Sequence, residues 1–145
     1  MNYWKKGCAY LLDNDPVFKY YYNPNHKLKT NKNKFDVLFK SICSQQISVS
    51  AAMSIYKNSK SIIGRINFKN FKTNKSKIKN LPLSKNKKKC LYSLLDNYHL
   101  VTDIKLSDSN FEKVNNNLIQ IFGIGRWTAE TVSYTHLTLP TIVSV

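Results

Sequence analysis

The chain has 145 residues, enough to bury the core of one domain but few for two, and its formal net charge is +15. The lysines are spread along the sequence, which favours a polyanionic partner because basic side chains gain affinity by releasing the counterions of phosphates. A basic surface without such a partner is the alternative, since Lys and Asn dominate the polar positions. No apolar run of membrane-spanning length and no signal-peptide pattern is recognisable, so a cytoplasmic protein is predicted.

The cysteines and histidines are too widely spaced for a metal site. None of them forms a Cys-x-x-Cys pair or a cluster; they are Cys8, Cys43, Cys90, His26, His99 and His136. This spacing disfavours a structural zinc, an iron–sulphur cluster and a disulfide framework. Cys43 and Cys90 lie within apolar helical patterns and are predicted to pack as small hydrophobic residues.

Two short helices are predicted at the start of the chain. Residues 2–14 have apolar side chains at helical spacing, and Asn14, Asp15 and Pro16 are suited to cap a second helix over residues 17–22. The aromatic side chains of both helices are predicted to lie in the core. The polar segment 23–34 has no periodicity and is predicted to be a loop.

The middle of the chain carries further helical patterns. An apolar stripe is formed by Phe35, Leu38, Phe39, Ile42 and Cys43. Ser48 or Ser50 is predicted to cap the next helix, which Gly64 closes, and short helical turns are predicted over 65–80. Ser84 is predicted to cap a helix that buries Cys90, Leu91, Leu94 and Leu95.

The next pattern begins at Ser107 or Ser109, either of which could cap a helix with Val114, Leu118 and Ile121 on its apolar side. No convincing alternating strand pattern occurs anywhere in the sequence. The predicted fold is therefore all-α, a compact helical domain with short connections.

A Gly-x-Gly turn lies near the end of the chain. Gly123 and Gly125 flank Ile124 between two helical patterns, which predicts a tight turn through conformations that glycine adopts cheaply. The outward amides of such a turn can bind a phosphate or a bridging cation, and Arg126 adds a positive charge. An ordinary corner between two helices, in which Thr128 only packs, is the alternative.

The stretch FGIGRWTAETV, residues 122–132, resembles the helix–hairpin–helix element of the DNA glycosylase superfamily, in the DNA-3-methyladenine glycosylase II family. Three stretches agree with it in order and spacing: YWKKGCAYLLDNDPVF, FDVLFKSICSQQISVSAAMSIY and LPLSKNKKKCLYSLL. The resemblance covers most of residues 1–132. It implies one incomplete all-α domain of the helix–hairpin–helix DNA glycosylase type over 1–132, with the hairpin element at 121–132.

The resemblance implies a base pocket and an activity. Gln45 and Gln46 would lie near the opened base pair, with Gln46 at or near the wedge position, and Trp127 would form an aromatic wall for the flipped base. Lyase-type relatives have a nucleophilic lysine where this chain has Trp127. The implied activity is therefore monofunctional hydrolysis of the N-glycosidic bond of alkylated purines such as 3-methyladenine, in base-excision repair.

The resemblance also implies contacts with the DNA backbone. The residues implied in these contacts are Gly123, Ile124, Gly125, Arg126 and Thr128. A monovalent cation could bridge to the phosphates through the backbone carbonyls of Phe122, Gly123 and Gly125; no side-chain metal ligand and no other cofactor is implied. Phe122 stands where relatives usually have proline, which removes one rigid constraint from the turn.

The catalytic aspartate implied by the resemblance would lie about twenty residues after Trp127, beyond Val145. Every acidic residue of the chain lies at or before Glu130. We interpret the aspartates as helix caps and solvated surface, and assign none of them to catalysis: Asp13, Asp15, Asp36, Asp96, Asp103 and Asp108. The chain is therefore predicted to bind damaged DNA without releasing the base.

The last segment, residues 133–145, contains neither Lys nor Asn and departs from the family pattern. It resembles a translated adapter sequence, and it is predicted not to be native; a genuine short tail is the alternative. The predicted partner is double-stranded DNA with damaged bases, bound by a monomer that is nucleoid-associated in a bacterium or nuclear in a eukaryote. A non-enzymatic helix–hairpin–helix DNA-binding module is the alternative function, and a basic helical domain that binds no nucleic acid is a third possibility.

Overall fold

A computed structural model of the chain describes residues 3–23, 31, 33–102 and 111–133. These residues contain nine α-helices and one 3₁₀-helix, and they contain no strand. The helices are α1 (Tyr3–Asn14), α2 (Phe18–Tyr21), α3 (Lys34–Ser44), α4 (Val49–Ile63), α5 (Phe68–Thr73), the 3₁₀-helix (Lys75–Asn80), α6 (Lys85–Asp96), α7 (His99–Thr102), α8 (Phe111–Ile119) and α9 (Arg126–Val132). The predicted all-α fold is confirmed. No helix in the described ranges is long and apolar enough to span a membrane.

The chain divides into two units, residues 1–30 and 31–145. In the first unit α1 and α2 contact each other, and the Asp15 carboxylate accepts hydrogen bonds from the Val17 and Phe18 amides, as expected of a cap. The prediction that the aromatic residues here lie in the core is wrong for Tyr10, Tyr20 and Tyr21, which are exposed. For Tyr20 and Tyr21 the reason is the length of α2, whose four residues bury none of their side chains.

In the second unit α3 lies at the centre and packs against α4, α6 and α9. The predicted stripe of α3 is buried throughout. Two of its phenylalanines meet Phe71 of α5, since the ring centroids of Phe35 and of Phe39 each lie 5.0 Å from the Phe71 centroid. This aromatic contact packs the first half of α3 against α5.

Side-chain caps begin several of these helices. Ser48 caps α4 by accepting a hydrogen bond from the Ala51 amide at 3.3 Å, so the choice between Ser48 and Ser50 falls on Ser48. Ser84 caps α6 in the same way, as predicted. Gly64 closes α4 with φ +87°, a backbone conformation that favours glycine.

The interpretation of Asp36 as a solvated or capping residue is wrong. Its side chain is buried on α3, where it accepts hydrogen bonds from Tyr56 Oη at 2.6 Å and from Lys40 Nζ at 2.8 Å, and a further one from the Asn31 amide. Asp36 therefore ties α3 to α4 and to the segment before α3. Asp96, by contrast, is exposed and pairs with a lysine, as a surface residue should.

Several predictions fall outside the described residues. They concern the capping role of Ser107 or Ser109, most of the loop at 23–34 and nearly all of segment 133–145. Ser133, the first residue of that segment, is described: it is fully buried, and its hydroxyl donates to Asn115 Oδ1 at 2.8 Å. The division at residue 132 stays a prediction.

Candidate nucleic-acid interface

The hairpin turn, residues 121–125, joins α8 to α9. Gly123 has φ +82°, and a Cβ atom there would lie 2.8 Å from Cys90 Cβ and 3.0 Å from Cys90 Sγ. Glycine is thus required at this position both by backbone conformation and by the close approach of α6. The prediction of a conformation that favours glycine is wrong for Gly125. Its φ of −80° and ψ of 169° are extended, and a Cβ atom there would meet no atom within 4 Å.

The hairpin turn is held against α6. The Phe122 amide donates to Ser93 Oγ at 3.0 Å, and the Ile124 amide donates to the Ile121 carbonyl at 3.1 Å. Ile124 itself is buried, so its side chain anchors the turn in the core. The amides of Gly123 and Gly125 have no acceptor among the described residues, and both glycines are exposed. These two N–H groups are therefore available to an anion.

The α3–α4 turn, residues 45–48, contacts the hairpin turn directly. Gln45 Nε2 donates to the Gly123 carbonyl at 2.9 Å. Gln46 is exposed and has φ +58°, the left-handed conformation that non-glycine residues adopt rarely and that is often found at functional turns. The two sequence signatures of the resemblance, separated by more than seventy residues, thus meet through one hydrogen bond.

Lys87 of α6 supports the carboxyl end of α3, next to the α3–α4 turn. Its Nζ atom donates to the Cys43 carbonyl at 2.8 Å, near the carboxyl end of α3, where a cation is also favoured by the helix dipole. Partial burial lowers the pKa of the Lys87 ammonium, and burial raises the pKa of the neighbouring Cys43 thiol to about 12. Burial likewise raises the pKa of Cys90 to about 12. Both cysteines are neutral packing residues, as predicted.

The first turn of α9 presents an aromatic side chain to solvent. Trp127 is 77% exposed, and Phe122 in the hairpin turn is 55% exposed. Arg126 is also exposed, and its Nε atom pairs with Glu130 Oε1 at 2.8 Å one turn along the helix. Thr128 is only 7% exposed and packs in the interior, so a DNA contact from its side chain would need the helix start to move.

Two of the three backbone carbonyls predicted to bind a cation already accept hydrogen bonds. The Gly123 carbonyl accepts from Gln45, and the Gly125 carbonyl accepts from the Ala129 amide at 3.0 Å. Because each carbonyl oxygen has a second lone pair, the cation stays a prediction. Within the described part of the chain, no three potential metal-binding side chains come together.

Sequence reasoning did not find the residues that hold the two turns together. Lys87 lies in a run of lysines, and nothing in the sequence distinguishes it from its neighbours. Ser93 belongs to no recognisable motif. Cys90 was predicted to be buried, but its contact with Gly123 depends on the approach of two distant segments. Spacing along one helix cannot reveal such a contact.

We expect the Gln45 hydrogen bond to contribute to folding stability. Replacing Gln45 by Met keeps the length of the side chain but removes the donor, and should lower the free energy of unfolding by about 1 kcal/mol. Gln46→Met is the matched control and should change it by less than about 0.5 kcal/mol, because the exposed Gln46 amide has no partner among the described residues. Urea unfolding of both variants measures the difference, and equal losses would contradict the assignment.

The described elements form an all-helical domain in which the hairpin turn and the Gln-Gln turn lie side by side. No protein-family profile and no curated protein matches the chain. Among solved structures, the chain is similar to the DNA-3-methyladenine glycosidase from Bacillus halodurans, with 25% sequence identity and a TM-score of 0.65 over 77% of this chain. The match covers 54% of the glycosidase, so the chain spans about half of that protein. The chain has the fold of this DNA glycosidase over the matched residues.

Proposed function

We propose that this chain is part of a DNA glycosylase of base-excision repair that removes alkylated purines such as 3-methyladenine. The observation that carries the proposal is the contact between Gln45 and the Gly123 carbonyl, which places the Gln-Gln turn beside the hairpin turn, in a chain with the fold of a DNA-3-methyladenine glycosidase. Duplex DNA with a damaged base is the substrate, and the protein acts as a monomer.

DNA is held through its backbone in this proposal. The free amides of Gly123 and Gly125 donate to phosphate oxygens, and Arg126 adds a charge at the start of α9. Such contacts fix the position of the duplex without reading its sequence. A monovalent cation at the hairpin carbonyls would add a further bridge to the phosphate.

Base recognition follows from the exposed residues near the two turns. A base within the stack is unreachable, so the damaged nucleotide must be extruded and the gap filled. Gln46, exposed at the tip of the α3–α4 turn, is the proposed wedge, and Gln45 orients that turn through the hairpin. Trp127 offers a free aromatic face to the flipped base. An alkylated purine is electron-poor and often cationic, so it stacks on this face more favourably than a normal base.

Hydrolysis needs a catalytic carboxylate, and we assign none of the acidic residues among residues 1–145 to this role. The positive sugar that forms as the glycosidic bond breaks would be stabilised by an aspartate, with water as the nucleophile. Among residues 1–145 no acidic residue follows Glu130, and the buried Asp36 already accepts hydrogen bonds from three side chains on α3, α4 and the segment before α3. We therefore propose that these residues bind damaged DNA and release no base. Release of 3-methyladenine by the chain itself would contradict this part of the proposal.

The alternative function is a non-enzymatic helix–hairpin–helix module that binds duplex DNA without regard to lesions. The replacement Trp127→Ala separates the two functions. A base pocket predicts weaker binding to a duplex that carries an alkylated purine, by roughly 5- to 150-fold, since stacking of the flipped base on an aromatic side chain contributes about 1–3 kcal/mol. Binding to undamaged duplex should stay the same. Fluorescence anisotropy with labelled duplexes gives both affinities.

The control for this experiment is Tyr20→Ala, which removes another highly exposed aromatic side chain far from the hairpin in sequence. Neither variant should change the unfolding midpoint appreciably, because both side chains are mostly in water. If Trp127→Ala weakened binding to damaged and undamaged duplex equally, the lesion-indifferent module would be the better description.

A further inference from the structure

The segment from α5 to α6 carries an unusual excess of positive charge. Residues 68–96 contain a single acidic residue, Asp96, which is already paired with Lys75 at 2.8 Å. The lysines of this segment are Lys69, Lys72, Lys75, Lys77, Lys79, Lys85, Lys87, Lys88 and Lys89. The positive charge is therefore left almost uncompensated along this part of the chain.

The structure divides the surface of α6 into sides with different neighbours. Its buried side is formed by leucines, and a second side meets the hairpin turn through Cys90 and Ser93. A third side meets the 3₁₀-helix, where Lys88 Nζ donates to the Lys79 carbonyl at 2.6 Å. Lys85 and Lys89, spaced i and i+4, remain on the outward side opposite the leucines, and both are exposed.

The 3₁₀-helix continues this positive surface. Its Ile78 is fully buried, and the lysines on either side of it, Lys77 and Lys79, are exposed. We call Lys77, Lys79, Lys85 and Lys89 the lysine patch. Among the described residues, none of these ammonium groups has a carboxylate partner within 4.0 Å. The lysine patch and the hairpin turn thus flank the same helix.

We propose that the lysine patch is a second phosphate-binding surface, which extends the DNA footprint from the hairpin turn across α6. The inference rests on the proposed function, because the hairpin turn places the duplex. Lysine ammonium groups bind phosphates as point charges without base specificity, so the patch adds affinity for any sequence. Its contribution arises from counterion release and must therefore depend on salt concentration.

The test compares two variants that each lose four positive charges. The patch variant carries Lys77→Gln, Lys79→Gln, Lys85→Gln and Lys89→Gln. The control variant carries Lys57→Gln, Lys60→Gln, Arg65→Gln and Lys113→Gln, at four exposed positions outside the patch. The affinity of the full chain for a duplex with an abasic-site analogue is measured across a series of KCl concentrations, and circular dichroism checks that all proteins are folded.

Each phosphate contact contributes about 0.9 to the slope of log affinity against log salt concentration. The patch variant should therefore lose about 2 to 4 from this slope, whereas the control variant should lose less than about 1. Equal losses in the two variants would overturn the inference, because net charge alone would then explain binding. If the unmodified chain bound no duplex at all, the proposed function would fail as well, so the two failures are distinguishable.

Discussion

Gly123→Ala should destabilise the chain by roughly 2–5 kcal/mol. The alanine Cβ would lie 2.8 Å from Cys90 Cβ, and the backbone would have to keep φ near +82°. Overpacking of this kind costs about 1–3 kcal/mol, and a left-handed conformation adds about 1–2 kcal/mol for a residue with a side chain. Because α6 supplies the obstructing atoms, relief would require the hairpin turn to move away from Cys90. Urea unfolding followed by circular dichroism measures the loss.

Gly125→Ala is the matched control, two residues away in the same turn. Its backbone is extended and no atom lies within 4 Å of the added carbon, so only the weaker capping of α9 by alanine remains, and the free energy of unfolding should fall by less than about 1 kcal/mol. Duplex binding should also weaken in Gly123→Ala, since its amide moves with the turn. If Gly125→Ala lowered the free energy of unfolding as much as Gly123→Ala, the conclusion that only Gly123 requires glycine would be wrong.

Asp36→Ala is expected to cost roughly 2–4 kcal/mol, because it leaves the donors of Tyr56, Lys40 and Asn31 without their shared acceptor in a largely buried site. The matched control is Asp96→Ala. Asp96 forms an ion pair of the same 2.8 Å length, but on the surface, so its loss should cost less than about 1 kcal/mol. Thermal or urea unfolding of the two variants compares them, and equal costs would contradict the structural role of Asp36.

Asp36 also predicts how stability depends on pH. Burial, the largest single influence, opposes ionisation, but the hydrogen bonds from Lys40, Tyr56 and Asn31 and the charge of Lys40 together lower the pKa of Asp36 below its ordinary value. A lowered pKa in the folded state means that the stabilisation is complete above the unfolded-state pKa of about 3.9 and is lost as the pH falls through the folded-state pKa. Unfolding midpoints measured from pH 6 to pH 2 should therefore fall below pH 4, and Asp36→Asn should flatten this fall. An unchanged acid dependence in Asp36→Asn would show that other carboxylates cause it.

Much of the fold could be predicted from local patterns. The stripe of α3, the Ser84 cap and the closing Gly64 follow from side-chain periodicity and from backbone preferences that act within a few residues. Helical spacing and apolar character also predict that Tyr20 and Tyr21 lie in the core. This prediction is wrong, because α2 is too short to bury them. Helical spacing predicts which side chains share a face, but the neighbour that would cover that face has to come from elsewhere in the chain.

The candidate site divides in the same way. The Gly-x-Gly and Gln-Gln segments are recognisable in the sequence. The sequence does not show that glycine is required at Gly123 but not at Gly125, because this difference depends on the backbone conformation and on the approach of Cys90. Nothing in the sequence distinguishes Asp36 from a surface aspartate, because its three hydrogen-bond donors are brought to it by the fold. The roles of Trp127, Gln46 and the other site residues remain predictions that the binding experiments address.

The helical class, the caps and the two signature segments could be predicted from the sequence, because these depend on residue types within one or two turns of helix. Only the folded chain shows that Gln45 bonds to Gly123, that Lys87 supports the end of α3 and that α6 forms hydrogen bonds with both the hairpin turn and the 3₁₀-helix. These contacts join residues up to 78 positions apart, and such pairs form only when the buried core has fixed the helices against one another.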